Sequence, residues 1–189
     1  MSFEEPPELA GASELIARIG SIEKIEKFCG VDLERNLVRR GKSDPLSVIY
    51  EYWKKLGGAS RPLDLADLAP MNVPPRALPH LTLVDVKGKP ERRRYFYRLV
   101  GTEVEAIFGG HYTGHYMDQI VPSDLYPLVR RAYDRVVETA EPVLFSGHYV
   151  REDGSVSDVS RIAMPMIDEG EAVSLILCGV FRDNYMPLA

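Results

Sequence analysis

Three apolar-rich segments, Val143–Arg151, Val156–Met166 and Val173–Arg182, follow one another with almost nothing between them. Asp153-Gly154 separates the first two, and Asp168-Glu169-Gly170-Glu171 separates the second from the third. Turns this short join antiparallel neighbours, because parallel strands need a crossover of about a dozen residues or more. The C-terminal part of the chain is therefore predicted to be a three-stranded antiparallel meander. Whatever the rest of the chain forms must extend or cover that sheet.

Two further strands are predicted upstream. Leu81–Val86 is a near-continuous apolar run, and Arg94–Val100 alternates apolar and polar residues before turning at Gly101 into a short helix. The polar stretch Lys87-Gly88-Lys89-Pro90-Glu91-Arg92 joins them as a hairpin. Between the second and third strands, Leu125, Leu128, Val129, Ala132, Tyr133, Val136 and Val137 fall on one helical face. Ser123 or Asp124 caps that helix, Pro127 fits its first turn, and Glu141-Pro142 ends it.

The clearest helix precedes the strands. Asp44 can cap it, Pro45 suits its first position, and Leu46, Ile49, Tyr50, Trp53 and Leu56 share one face. Gly57-Gly58 stops it. Ala59–Pro79 is a proline-rich connecting loop with a short helical turn near Leu63–Leu68. Earlier still, a helix is predicted from Ser13, with apolar residues from Leu15 to Phe28 spaced closer to three than to 3.6. A break near Gly20-Ser21 is the alternative. A second short helix spans Val31–Arg40, with Leu33, Leu37 and Val38 on one side. The organisation expected is a helical extension over residues 1–43 and an α+β domain with a leading helix over 44–189. Its core is a five-stranded antiparallel sheet with helices on one face and the Trp53 helix on the other.

Bulk properties narrow the function. The net charge is -5, which disfavours extended contacts to nucleic acid phosphates. The N-terminus lacks the basic and apolar regions of a signal peptide, and no apolar run approaches the ~20 residues of a membrane span. Two cysteines, Cys29 and Cys178, make no disulfide framework. A cytoplasmic protein with no membrane and no nucleic acid partner is expected.

At this point the chain resembles the PAS domains, most closely a bacterial single-domain group with an N-terminal Tyr-Trp helix. The resemblance is carried by Ile49-Tyr50-Glu51-Tyr52-Trp53, by Leu78-Pro79-His80-Leu81-Thr82-Leu83-Val84-Asp85 and by Tyr95-Phe96-Tyr97-Arg98-Leu99-Val100-Gly101-Thr102. Thr113-Gly114 and the exit Val136-Val137-Glu138-Thr139-Ala140-Glu141-Pro142-Val143 complete it. It covers roughly Ser43 to Asp183 and implies a sensory or regulatory module that often dimerises and sometimes holds a ligand between sheet and helices. It leaves the cofactor unknown.

The pocket expected on that fold has as its walls Tyr97, Leu99, Ile107, Phe108, Tyr112, Tyr116, Leu125, Leu128 and Val129, with His148 as a polar group. His111 and His115 have the four-residue spacing of paired metal or haem ligands, but Gly109, Gly110 and Gly114 place them in a loop with no third ligand. They are read as polar loop residues. His80 is read as a turn residue, and Cys178 as a small buried hydrophobe. Arg98 is expected to face the Trp53 helix in a charge pair or cation–π contact, with anion binding as the alternative. Arg161 is read the same way. It shares parity with Val159 and Ala163 and opposes Ile162 and Met164, so its face is left open. Lys87, Lys89, Arg92, Arg93 and Arg94 form a solvated turn. No triad, phosphate loop or paired carboxylates support an enzyme. The function expected is a sensory module binding a small-molecule ligand, a protein partner or a second copy of itself. The alternative is a ligand-free dimerisation module.

Overall fold

The computed structural model describes residues 33–60, 65–69, 72–121, 123, 126–150, 156–167 and 172–183. The helix expected from Ser13, and most of the 1–43 extension, lie outside them. Five strands form one sheet: β1 (Leu81–Lys87), β2 (Arg94–Val100), β3 (Val143–Val150), β4 (Val156–Ile167) and β5 (Val173–Asp183). Their order is β2-β1-β5-β4-β3, with every neighbour antiparallel. The meander is thus β3-β4-β5, and the upstream hairpin joins it through β1 against β5.

One face of the sheet is covered by α1 (Leu33–Arg40) and α2 (Pro45–Lys55). Asp44 caps α2 as expected, its Oδ1 accepting from the Leu46 N–H at 2.9 Å. Leu46, Ile49 and Trp53 are buried against Leu81, Leu83, Ile162, Met164, Leu175, Leu177 and Phe181. The Trp53 indole N–H donates to the Pro165 carbonyl at 2.9 Å. Pro165 lies beyond the last β3–β4 pair, Val143 with Ala163, so β4 tolerates its missing N–H there. Gly179 on β5 makes the close approach of α2 possible, since a methyl group there would come 2.8 Å from Ile49 Cγ2.

In α1, Leu37 is buried in the same core, so this stretch ahead of residue 44 packs onto the domain. Val38 departs from the expected pattern and is 79% exposed. Leu33 and Leu37 are four apart and stack on one face, whereas Val38 is turned a further 100° or so around the helix.

The opposite face carries α3 (Thr102–Phe108), α4 (Met117–Ile120) and α5 (Tyr126–Thr139). Gly101 starts α3 in the tight space beneath Leu78–His80. Its N–H donates to the Leu81 carbonyl at 2.8 Å, and any side chain there would collide with the Pro79 carbonyl. His80 is the turn residue expected: its ring stacks on Phe181 at 4.5 Å, and its Nδ1 lies 3.2 Å from the Val180 carbonyl oxygen. Among the described residues no helix is long and apolar enough to cross a membrane.

Two expected pocket residues prove to lie elsewhere, each because of pairing that a single strand cannot reveal. In the β1–β2 ladder Leu83 pairs with Leu99 but Val84 pairs with Tyr97, so β2 carries one extra residue. That bulge moves Leu99 off the Tyr97 face, and it is 42% exposed on the α2 side. Tyr116 forms an antiparallel bridge to Phe96, and the two rings meet edge to face at 5.1 Å. Bridge partners share a face, so Tyr116 lies with Phe96 on the side opposite Tyr95 and Tyr97.

Candidate functional site

The helix-covered face gathers Val84, Tyr97, Val100, Ile107, Met117, Tyr133, Val136, Val159, Ala163, Ile176, Cys178 and Val180 into one core. Strand parity fixes what else belongs there. Val159 and Ala163 face the helices, so Arg161 between them does too, and the ladder sets it beside Phe145 on β3 and Val180 on β5. Its guanidinium carbon lies 4.6 Å from the centre of the Phe108 ring and 5.7 Å from that of Phe145. Arg161 is half-buried. Among the described residues no carboxylate forms an ion pair with it.

Beside this cation runs a line of buried acids that stay protonated. The Cys178 thiol contacts the Tyr133 hydroxyl at 3.6 Å, and Tyr97 is buried in the same cluster. Burial pushes Tyr97 up to about 12, with Arg161 only partly opposing it. Burial likewise raises Cys178 to about 12 and Tyr133 well above the ordinary phenol range. None of the three supplies a counter-charge to Arg161 at neutral pH. A high thiol pKa also keeps Cys178 a poor nucleophile.

Thr82 adds a second polar group to the same face. It pairs across the ladders with Val100 and with Cys178, both helix-facing. The residue is 2% exposed, and its Oγ1 has no hydrogen-bond partner among the described residues.

The frame around the site is rigidly tied. Tyr95 donates its hydroxyl to Asp134 at 2.6 Å, and Arg93 reaches the same carboxylate at 3.1 Å, fixing α5 to the start of β2. Arg130 contacts Asp134 as well, at 3.3 Å. The chain from Gly114 to Tyr116 closes the outer edge of β2, with Tyr97 N–H donating to His115 O and Gly114 N–H donating to Tyr97 O. Arg94 then holds Asp118 through two 2.7 Å contacts while its guanidinium lies 3.7 Å over the Tyr116 ring.

Of the expected walls, Tyr97, Ile107, Phe108, Tyr112 and Val129 are brought together on this face. The Tyr112 hydroxyl donates to the Phe108 carbonyl at 2.9 Å, which holds the end of α3 against its loop. Leu125 and the side chains of Leu128 and His148 lie outside the described residues; the His148 backbone pairs with Asp158. His111 is exposed and sits 3.0 Å from Glu105, and His115 is exposed too. Among the described residues no group of three or more His, Cys, Asp or Glu side chains could hold a metal ion. Arg98 forms a charge pair, as expected of it, with Asp85 at 2.7 Å on the α2 side.

Sequence reasoning left the face of Arg161 open and passed over Thr82. The signal for Arg161 was present, since a cation between two helix-facing residues of a central strand must share their face. Thr82 gave no signal, because a threonine in an apolar strand is ordinary.

No protein-family model matches the chain, and no curated protein matches it. Several solved structures are similar to it at low identity. A LOV protein of Rhodobacter sphaeroides is 15% identical, with 55% of this chain and 58% of that one covered, at a TM-score of 0.42. An RNA-binding light-oxygen-voltage receptor is 15% identical over 64% of this chain and 34% of its own, at 0.46. The PAS domain of an HTR-like protein from Haloarcula marismortui is 17% identical over 54% and 81%, at 0.35. The chain thus spans under two thirds of the length of the Rhodobacter protein, and such likenesses carry no argument about ligand, chemistry or partner. The strand order β2-β1-β5-β4-β3, with short helices over one face and the Trp53 helix on the other, gives this chain a PAS-like fold.

Proposed function

We propose that the chain is a non-enzymatic sensory module in which a small ligand on the helix-covered face alters what α1 presents to a protein partner or to a second copy. One observation carries this reading. Neighbouring residues of β4 address the two faces at once: Arg161 enters the helix-side cluster, while Ser160 is fully buried behind it and accepts from Arg40 of α1 at 2.9 Å. Ser146 shares the same hydrogen-bonding group at 2.8 Å. A ligand that prefers one placement of Arg161 therefore biases β4, and with it the anchor of α1, by as much as its affinity differs between the two placements.

The experiment is native mass spectrometry and an absorption spectrum of the purified chain, followed by hydrogen exchange of α1 before and after the bound molecule is removed. A retained small molecule whose removal speeds exchange in residues 33–40 is the expected result. A chain that carries no small molecule, and whose α1 exchange is unmoved by Arg161→Gln, overturns the reading. A ligand-free dimerisation module is the second reading, favoured by the exposure of Val38 on α1. A dimer that is unaffected by Arg161→Gln and lost in Val38→Asp selects it.

A further inference from the structure

We infer that the outer edge of β3 is an interaction surface for a second copy of this chain, whose own β3 lies antiparallel to it and joins the two sheets into one. This rests on the reading above in taking a second copy as the partner, and it adds a surface that reading does not use.

The sheet has two edges, β2 and β3, and the molecule treats them differently. The β2 edge is closed by the chain itself. Tyr97 makes backbone hydrogen bonds to His115 and Gly114 at 2.9 and 2.8 Å, the Val100 N–H donates to Thr113 Oγ1 at 2.9 Å, and Phe96 bridges to Tyr116. The β3 edge has no such cover among the described residues. In an antiparallel ladder every second residue turns its N–H and C=O away from its neighbour, so β3 offers a row of these groups along its outer side. An extended backbone is what matches that spacing.

Nothing in β3 repels one. Open edges are ordinarily blunted by a lysine or other charge, a proline, a bulge or shortness. β3 is eight residues long, Val-Leu-Phe-Ser-Gly-His-Tyr-Val, with no Lys, Arg, Asp, Glu or Pro. Its ladder with β4 runs from Val143 with Ala163 to Val150 with Val156 without a register shift. Gly147 therefore makes no bulge, and a strand glycine without one suits the close approach of another backbone. Phe145 is only half-buried at this edge, while Val143 lies in the helix-side core and Leu144 in the α2-side core. A strand added here extends both.

The closed β2 edge selects the partner. With both edges bare, copies would join edge to edge into an open fibre. With only β3 bare, two copies satisfy one another about a twofold axis and leave no bare edge. An axis normal to the sheet sets the two strands antiparallel and keeps like faces together. Each copy carries a net charge of -5, but β3 brings no formal charge to the contact. The joint also falls beside α1: Ser146 Oγ lies 2.8 Å from Ser160 Oγ, which accepts from Arg40. Pairing at β3 thus meets the anchor of α1.

The test is hydrogen exchange of the full chain, read residue by residue by NMR between about 10 µM and about 1 mM, with the mass followed by analytical ultracentrifugation. One strand against another buries less than the roughly 1,200 Å² of a standard complex, so a weak dimer is expected within that range. Every second amide of residues 143–150 should be held by β4 at all concentrations, and the intervening ones should slow several-fold as the dimer forms. A chain that stays monomeric, or a dimer that leaves the intervening amides unprotected, overturns the inference. So does protection that survives dilution to the monomer, which would mean that the chain covers its own edge. Ser146→Pro and Gly147→Pro supply a control, since neighbouring N–H groups point to opposite edges. One of the two is expected to abolish the dimer with little change in the thermal midpoint, and the other to lower that midpoint. A dimer that survives in both overturns the pairing, and exchange in the unmodified chain decides even where a variant does not fold. If α1 exchange responds to removal of a bound molecule while the β3 amides stay open, the pairing falls and the sensory reading stands. If β3 pairs and α1 does not respond, the sensory reading falls and the pairing stands.

Discussion

Both faces of the sheet bury an apolar cluster, but they differ in how a few of their polar groups are partnered. On the α2 side each buried polar group among the described residues meets a partner. The Trp53 N–H has the Pro165 carbonyl, Ser160 has Arg40 and Ser146, and Asp85 has Arg98 and Lys87. The Asp85 contact is electrostatic, since its Oδ1 faces Arg98 at 2.7 Å without the alignment of a hydrogen bond. On the helix-covered side a guanidinium rests on rings, and a threonine hydroxyl has no partner among the described residues. A face optimised only for stability would have apolar residues at those two positions, because replacing unpaired polar groups by isosteric apolar ones stabilises. The α2 face pairs its buried polar groups, and the helix face leaves Arg161 against rings and the Thr82 hydroxyl unpaired among the described residues.

That contrast can be broken by mutation, and the largest effect belongs on the α2 side. Trp53→Ala should destabilise by about 3–5 kcal/mol, because it empties a buried site and strands the Pro165 carbonyl. Urea unfolding measures this, and a loss below 1 kcal/mol or so would mean that α2 is not part of the core. Gly179→Ala comes next, at about 1–3 kcal/mol of overpacking, since its methyl group would sit 2.8 Å from Ile49 Cγ2. Arg161→Met on the other face should stay within about 1 kcal/mol of the parent or stabilise it. An equal loss at Gly179 and Arg161 would erase the distinction between the faces.

The remaining predictions concern pH and sharpen the contrast further. Tyr97, Tyr133 and Cys178 all have folded pKa values raised above their unfolded ones, chiefly by burial. The unfolded chain therefore loses their protons first. Stability should be level through neutral pH and fall as pH rises from about 9, the ordinary thiol range, toward the folded value near 12. Cys178→Val should remove the earliest part of that decline, as followed by thermal melts across the alkaline range. The smallest effect lies at the β2 edge, where the Arg94 hydrogen bond holds Asp118 below the usual carboxylate range. Its contribution is present above the unfolded aspartate pKa and disappears as acid protonates the folded carboxylate. The pair is partly exposed, so Asp118→Asn should flatten the acid limb only slightly and lose even that effect in high salt.

How much of this was legible beforehand can be read from individual residues. Asp44 and Pro45 announced the start of α2, and the Gly-containing turns announced the meander, because caps and turns are decided by a few adjacent residues. Tyr97, Ile107, Phe108 and Val129 share the helix-covered face. Leu99 and Tyr116 do not. Leu99 moved because a bulge inserts one residue, and one residue reverses the face of everything beyond it. Tyr116 moved because its segment pairs with the edge of β2, a partnership formed across the fold.

The sequence by itself determined the five strands, the covering helices, the apolar stripe of Trp53 and the composition of the core, since each follows from local propensity and period. Only the tertiary structure decided which way the polar residues of those strands point and which of them find partners. Arg161 is the clearest case: its neighbours in sequence put it on a face, but its lack of a carboxylate among the described residues is a property of four elements brought together. Partnering is a long-range quantity, set by register and by packing at a few ångströms, and no single stretch of chain contains it.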